Sequence, residues 1–374
     1  MKLKGLITTR TKLRVGLVVM SVVLTQFGAL ALIRSPRPGS TTPSGSAPLS
    51  VTLGELAAPR REPPAAPPPH APSPLEPGES KAKPAQPGPA SRDIGPYRGM
   101  GTWVDLYDYA LREQMDPAAA VQEMAARGVR TLYLQTSRWN LPADIHHPAM
   151  VSRFIDEAHA RGIQVVGWYL PGFADLDRDL ARSLAVLRFA TPRGNRFDGF
   201  APDIEDQRAV GDNPLAFSAG VAEYSRRLRS AVGARSALAA IVPDALNNER
   251  APRRWAGFPW AQVAQSYDVV MPMAYWTETM RRGRCHGPFD VEGYLSQVAI
   301  KTRALMGAER PIHLIGGVAD CMPAQDGTSY ANAALLLGSV GASLYDFDTI
   351  QENPARDHLW KELARATVSR ASDS

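Results

Sequence analysis

The sequence predicts an α/β fold, a (β/α)8 TIM barrel, on three observations. Eight short β-rich runs alternate with amphipathic helical runs from about residue 94 to the C-terminus. That stretch of about 280 residues is close to the ~250 typical of a closed β/α barrel. No Gly-rich phosphate-binding fingerprint follows the first run, so a dinucleotide-binding open sheet loses its main support.

In chain order the strands fall at residues 101–106, 131–135, 163–170 and 197–205, then 238–243, 268–275, 312–318 and 342–347. Each is short and rich in β-branched or aromatic side chains, as a strand covered on both faces requires. Helices are predicted between them. Asp116-Pro117 supplies a capping residue and a proline at the first helical position, and Gly128 closes that helix. Residues 150–160 carry apolar side chains at helical spacing and end at Arg161-Gly162. Residues 215–232, 291–306, 331–337 and 356–366 behave alike, while the helices after the third and fifth strands have weaker signals. Strict alternation gives a parallel sheet clothed in helices, and eight units favour closure.

Two segments of other character precede the barrel, which is predicted over residues 94–374. In residues 1–34, Lys2, Lys4, Arg10, Lys12 and Arg14 precede an apolar run interrupted by Ser21, Thr25, Gln26 and Gly28. A positive flank before an apolar run keeps the N-terminus in the cytoplasm and sends the rest across the membrane. The run is long enough to remain as a signal anchor. Ala29-Leu30-Ala31 equally offers a signal-peptide cleavage site. Both alternatives make the barrel extracytoplasmic, either membrane-anchored or secreted. Residues 35–93 hold 16 of the 32 prolines and no aromatic residue between Pro36 and Pro89. Such a segment buries too little apolar surface to offset its ordering entropy, which predicts a disordered Pro-rich linker reaching up to about 180 Å.

The net charge of +5 is misleading. Residues 1–95 alone carry 12 Lys/Arg against 5 Asp/Glu, a net of +7, so the remainder is −2. A near-neutral globular region has no electrostatic footprint for a phosphate backbone, which excludes nucleic acid as the partner. The two cysteines, Cys285 and Cys321, both fall in the globular region. An even count outside the cytoplasm favours a disulfide over metal binding by Cys285 with His286. His146-His147 has no third ligand spaced nearby, so neither a metal nor a cofactor is predicted.

In a β/α barrel the chemistry sits at the C-terminal ends of the strands. Strand period two puts Phe200, Pro202 and Ile204 of the fourth strand on the helix side. The inward face is Gly199, Ala201, Asp203 and Glu205: two small residues low in the barrel, then two carboxylates at the mouth. Side-by-side buried acids push their pKa values apart, leaving one protonated and one ionised, which is what glycosidic bond cleavage needs. Trp103 and Asp105 share a face at the end of the first strand, Gln135 ends the second and Trp168 closes the third. Asp244, Met273, Tyr275, Trp276 and Asp346 stand at the ends of later strands. Aromatic faces beside carboxylates and amides suit sugar rings, which are apolar above and below and hydroxylated at the edge.

The fourth strand, Asp198-Gly199-Phe200-Ala201-Pro202-Asp203-Ile204-Glu205, resembles the Asp-Gly-x-Asp-x-Asp-x-Glu signature of glycoside hydrolase family 18, the chitinases and their relatives. The middle Asp is Ala201 here. On the sixth strand Met273-Ala274-Tyr275-Trp276 resembles that family's Met-x-Tyr-Asp, with Trp276 in place of the Asp. The resemblance implies that Glu205 protonates the leaving oxygen, that Asp203 orients a 2-acetamido group whose carbonyl attacks the anomeric carbon, and that Tyr275 hydrogen-bonds that group. The expectation is therefore an extracytoplasmic glycoside hydrolase acting on a polysaccharide of chitin or peptidoglycan type. The alternative is a glycan-binding barrel that kept the cleft and lost the chemistry with the carboxylate missing at Ala201.

Overall fold

A computed structural model gives the structure of the chain and describes residues 92–111, 114–234, 236–279, 289–320 and 322–367. The signal or anchor at 1–34, nearly all of the linker at 35–93, and Cys285 and Cys321 with their expected disulfide lie outside the described residues. Among the described residues, no helix is long and apolar enough to cross a membrane.

Eight parallel strands form one sheet: β1 (Gly99–Val104), β2 (Thr131–Arg138), β3 (Gln164–Leu170), β4 (Gly199–Pro202), β5 (Ala239–Pro243), β6 (Val269–Met273), β7 (His313–Val318) and β8 (Gly341–Tyr345). Their order is β4-β3-β2-β1-β8-β7-β6-β5, the sequence of a barrel cut open between β4 and β5. A helix follows each strand: α1 (Pro117–Ala126), α2 (Pro148–His159), α3 (Leu176–Arg188), α4 (Pro214–Val232), α5 (Trp260–Ser266), α6 (Val291–Met306), α7 (Ala324–Leu336) and α8 (Arg356–Ala366). The expected caps hold: Asp116 accepts from the Ala119 N–H, and Asn213 accepts from Leu215 and Ala216. Side chains alternate along each strand, so Tyr133, Val166, Ala201, Ile241 and Ile315 fill the interior. Leu132, Phe200, Val242 and Leu344 pack under the helices.

Two expectations are corrected. The fourth strand, expected over 197–205, is only four residues long, because Pro202 has no N–H to extend a ladder and the chain turns at Ile204 and Glu205. The seventh helix begins at Ala324 rather than 331. Gly327 inside it obscures the helical signal, and a Cβ there would lie 2.7 Å from Leu359 of α8, so the glycine permits close helix packing.

Closure between β4 and β5 rests on few bonds. Asp203 bridges Ile241, and the Ile204 N–H donates to the Ile241 carbonyl at 2.9 Å. Below Pro202 a tyrosine substitutes for the ladder. Tyr97 rises from a short turn (Gly95–Tyr97) into the bottom of the barrel, where its hydroxyl accepts the Phe200 N–H at 3.1 Å. Its proton faces the carbonyls of Phe200 and Ala237, each at 3.1 Å. Gly199 leaves the room: a Cβ there would sit 2.8 Å from that hydroxyl. Tyr97→Phe keeps the packing but strands buried backbone groups, so we expect a loss of about 1–3 kcal/mol in urea unfolding. An unchanged midpoint would mean that the hydroxyl does not hold the seam.

Candidate active site

The mouth is built on a floor of interlocking rings. Trp103 of β1 stacks on Tyr133 of β2 with centroids 4.3 Å apart and meets Trp168 of β3 edge-on at 6.0 Å. Its indole N–H donates to the Ser343 hydroxyl at 2.9 Å. Below, His313 Nδ1 lies 2.9 Å from the Tyr97 carbonyl, which can only accept, so Nδ1 carries the proton. Nε2 then accepts from Ser343 at 2.9 Å. Burial lowers the His313 pKa to about 4, which keeps this relay neutral.

Above the floor lies a narrow recess. Asp203 and Glu205 enter it from the β4 end, and Tyr275 and Met273 from β6. Trp103, Trp168 and Tyr345 supply aromatic walls, with Ile241 and Ile315 between them. Asp203 and Glu205 are 5% and 7% exposed. Asp203 Oδ1 has no hydrogen-bond partner among the described residues, and neither does Trp168 Nε1. An orphaned acceptor and an orphaned donor in one recess await a ligand with both kinds of group.

The electrostatics separate Asp203 from Asp206. Burial raises the Asp203 pKa well above the usual carboxylate range, and the charges of Glu205 and Asp206 add to the effect. Burial acts the same way on Asp206, but the Arg208 and Trp139 hydrogen bonds outweigh it and hold Asp206 below its ordinary value. Asp203 is therefore the readier of the two to hold a proton, while Asp206 is paired at 2.9 Å with Arg208 Nε.

On the β1/β8 side, Tyr345 donates its hydroxyl to Asp105 Oδ2 at 2.8 Å. Asp105, Asp108 and Asp346 bring one carboxylate oxygen each within 4.8 Å of the others. A cation could bridge that spacing, but protons and hydrogen bonds account for it as it stands. Asp105 also accepts from the Tyr107 N–H, Asp108 accepts from the Asp105 N–H, and Asp346 caps the turn Phe347–Glu352 through Thr349. Burial, then the neighbouring Asp105, pushes the Asp346 pKa up to about 7.

Of the residues expected at the site, Asp203, Glu205, Tyr275, Met273, Trp103 and Trp168 line one recess. Asp105 stands behind Tyr345. Gln135 is spent on structure, since its Oε1 accepts the Leu106 N–H at 3.0 Å. Three expectations are corrected. Trp276 points outward, stacked on Tyr330 and bonded to Asp326. Asp244 is drawn under α6 by the Tyr294 hydroxyl at 2.6 Å. Asp346 turns to its capping role, while the adjacent Tyr345 faces inward. Strand parity counted from Ser343 identifies Tyr345, whereas its polar neighbour drew attention away.

No family model and no curated protein matches the chain. Solved structures do. The barrel is similar to the spore cortex-lytic enzyme SleL of Bacillus cereus, with TM-score 0.54 and 9% identity over 72% of this chain and 74% of that one. It is similar to a class V chitinase of Cycas revoluta solved with (GlcNAc)3, with TM-score 0.51 and 13% identity over 71% and 99%. An endo-1,4-β-mannanase of Rhizomucor miehei gives 0.50 and 12% over 68% and 87%. The likeness shows a shared eight-stranded β/α barrel, and its occurrence in both chitinases and a mannanase shows that the fold does not select the sugar.

The Asp346 carboxyl holds a proton in the folded state up to about pH 7, against 3.8 when unperturbed. Between those values the folded chain binds a proton that the unfolded chain lacks, so stability falls as pH rises through the window. Urea midpoints measured from pH 4 to 8 should decline to about pH 7 and then level. Asp346→Asn, which retains a capping side chain, should make that decline shallower.

Proposed function

We propose that the protein is an extracytoplasmic glycoside hydrolase acting on a polysaccharide with 2-acetamido sugars, with Glu205 delivering the proton to the leaving oxygen. The observation that carries this reading is the unpartnered Asp203, ready to hold a proton, beside Glu205 in one aromatic-walled recess. Aromatic walls take the apolar faces of a sugar ring, and the coupled acids exchange a proton as charge develops on the glycosidic oxygen. Asp203 orients the acetamido group, whose carbonyl oxygen attacks the anomeric carbon as the leaving oxygen takes the proton. Tyr275, from the opposite wall, steadies that group. The positive flank and apolar run in residues 1–34 support export, with the barrel held at the membrane or released.

A glycan-binding barrel without turnover is the second reading. Ala201, buried in the interior where a proton-sharing carboxylate would stand, favours it. Incubation of the full chain with chitin oligosaccharides and peptidoglycan separates the two. Hydrolysis that Glu205→Gln lowers by about 100-fold or more, and Asp203→Asn lowers mainly in kcat, bears out the enzyme. Binding by both Glu205→Gln and the unaltered chain, with turnover by neither, identifies the binding module.

A further inference from the structure

Near Asp203 of the recess stands an arginine, Arg138, that makes no ion pair among the described residues. Arg138 ends β2 and is 5% exposed. Its direction comes from a β-bulge. Gln135 pairs with Trp168, but Ser137, not Thr136, pairs with Tyr169, so one extra residue interrupts the alternation. Were Thr136 paired in a regular ladder, Ser137 would follow Gln135 inward and Arg138 would face the helices. With Thr136 bulged out, Ser137 turns outward to the Ala143 carbonyl, and Arg138 pairs with Leu170 on the inward side. Arg182, fully buried, clamps this geometry by donating to the carbonyls of Arg138 and Leu141.

The guanidinium is only partly used. Nη1 donates to the Tyr107 hydroxyl, over whose ring the guanidinium carbon lies at 5.3 Å. Among the described residues, no carboxylate oxygen lies within 4.0 Å of it, and Nε is buried without a partner. Nε and Nη2 form one edge of the planar group, a two-pronged donor shaped for a carboxylate. The acids within electrostatic reach, Asp105 and Asp203, do not fill that edge. Compare Arg310, another arginine with an unpartnered Nε: both of its terminal nitrogens are bonded to the Tyr267 and Ala264 carbonyls, and it serves the fold. A buried guanidinium edge left open costs stability, which a ligand's charge can offset.

We infer that the glycan bound at this mouth carries a carboxylate, and that Arg138 is the specificity-determining residue that reads it through its Nε/Nη2 edge. The inference rests on the glycan reading of the recess, but not on turnover. A uronic acid or an acid-bearing ether substituent on a 2-acetamido sugar meets the requirement, whereas a neutral chitin chain leaves the edge empty.

Binding calorimetry on the full chain tests this, using Glu205→Gln so that no probe is consumed. Two probes carry the acid differently: a hyaluronan tetrasaccharide, and a tetrasaccharide alternating N-acetylglucosamine with N-acetylmuramic acid. Each is compared with its carboxyl-reduced form, and chitotetraose serves as the neutral reference. The expected result is binding of at least one acid about tenfold or more tighter than its reduced form. Arg138→Met should erase that preference and leave the reduced form's affinity unchanged, while Arg138→Lys should keep part of it. Equal affinity for acid and reduced forms of both probes overturns the inference without recourse to any variant. Equal weakening of both forms by Arg138→Met overturns it too, making Arg138 an internal counter-charge. Competition by inorganic phosphate but not by acetate overturns the carboxylate assignment in favour of a phosphoryl group. Hydrolysis of neutral glycans with no acid preference sinks this inference alone. Absence of binding to any of the probes sinks it together with the glycan reading.

Discussion

Everything at the mouth depends on how the barrel closes between β4 and β5. Most neighbouring strands are joined by ladders, but here Pro202 breaks the run of donors, and closure falls to Asp203, Ile204 and Ile241 above it and the Tyr97 hydroxyl below. The backbone that completes the barrel therefore belongs to the same residue whose side chain is the readier to hold a proton. Asp203 is fixed from both sides, by the Tyr169 carbonyl at 2.8 Å and by its bridge to Ile241. Burial of that carboxyl, reinforced by the charges of Glu205 and Asp206, raises its pKa.

Around this point the protein manages an excess of buried acid by three devices. Asp206 keeps its charge because Arg208 and an indole N–H surround it. Asp105, Asp108 and Asp346 share hydrogen bonds with Tyr345 and nearby backbone and give up part of their charge to protonation. Asp203 is pushed toward its neutral form while its Oδ1 has no hydrogen-bond partner among the described residues. Only the third leaves a polar group that a ligand can complete, which distinguishes the recess from the clusters beside it.

The barrel was legible in the sequence because strands and helices differ in period, and eight alternations leave little choice of topology. Asp203 was legible by parity from Gly199. The remainder was hidden by local rules that composition does not show. Glu205 lies beyond the strand, in a turn, yet still reaches the recess. Trp276 and Asp244 follow strand ends as site residues should, but Asp326 and Tyr294, far along the chain, claim their polar atoms. Tyr97 precedes the first strand in a stretch without a strand signal, so its role as a plug emerges only when β4 and β5 are brought together.

The bulge in β2 has a consequence for how such sites diverge. Because the bulge at Thr136 decides whether Ser137 or Arg138 faces inward, a ladder that took Thr136 into regular pairing would exchange a cation for a small hydroxyl with no substitution at either position. A shift of pairing by a single residue, which leaves the sequence itself unaltered, thus amounts to a change in the charge presented inward. Related barrels compared column by column would conceal it; compared by which residue pairs with Leu170, they would reveal it.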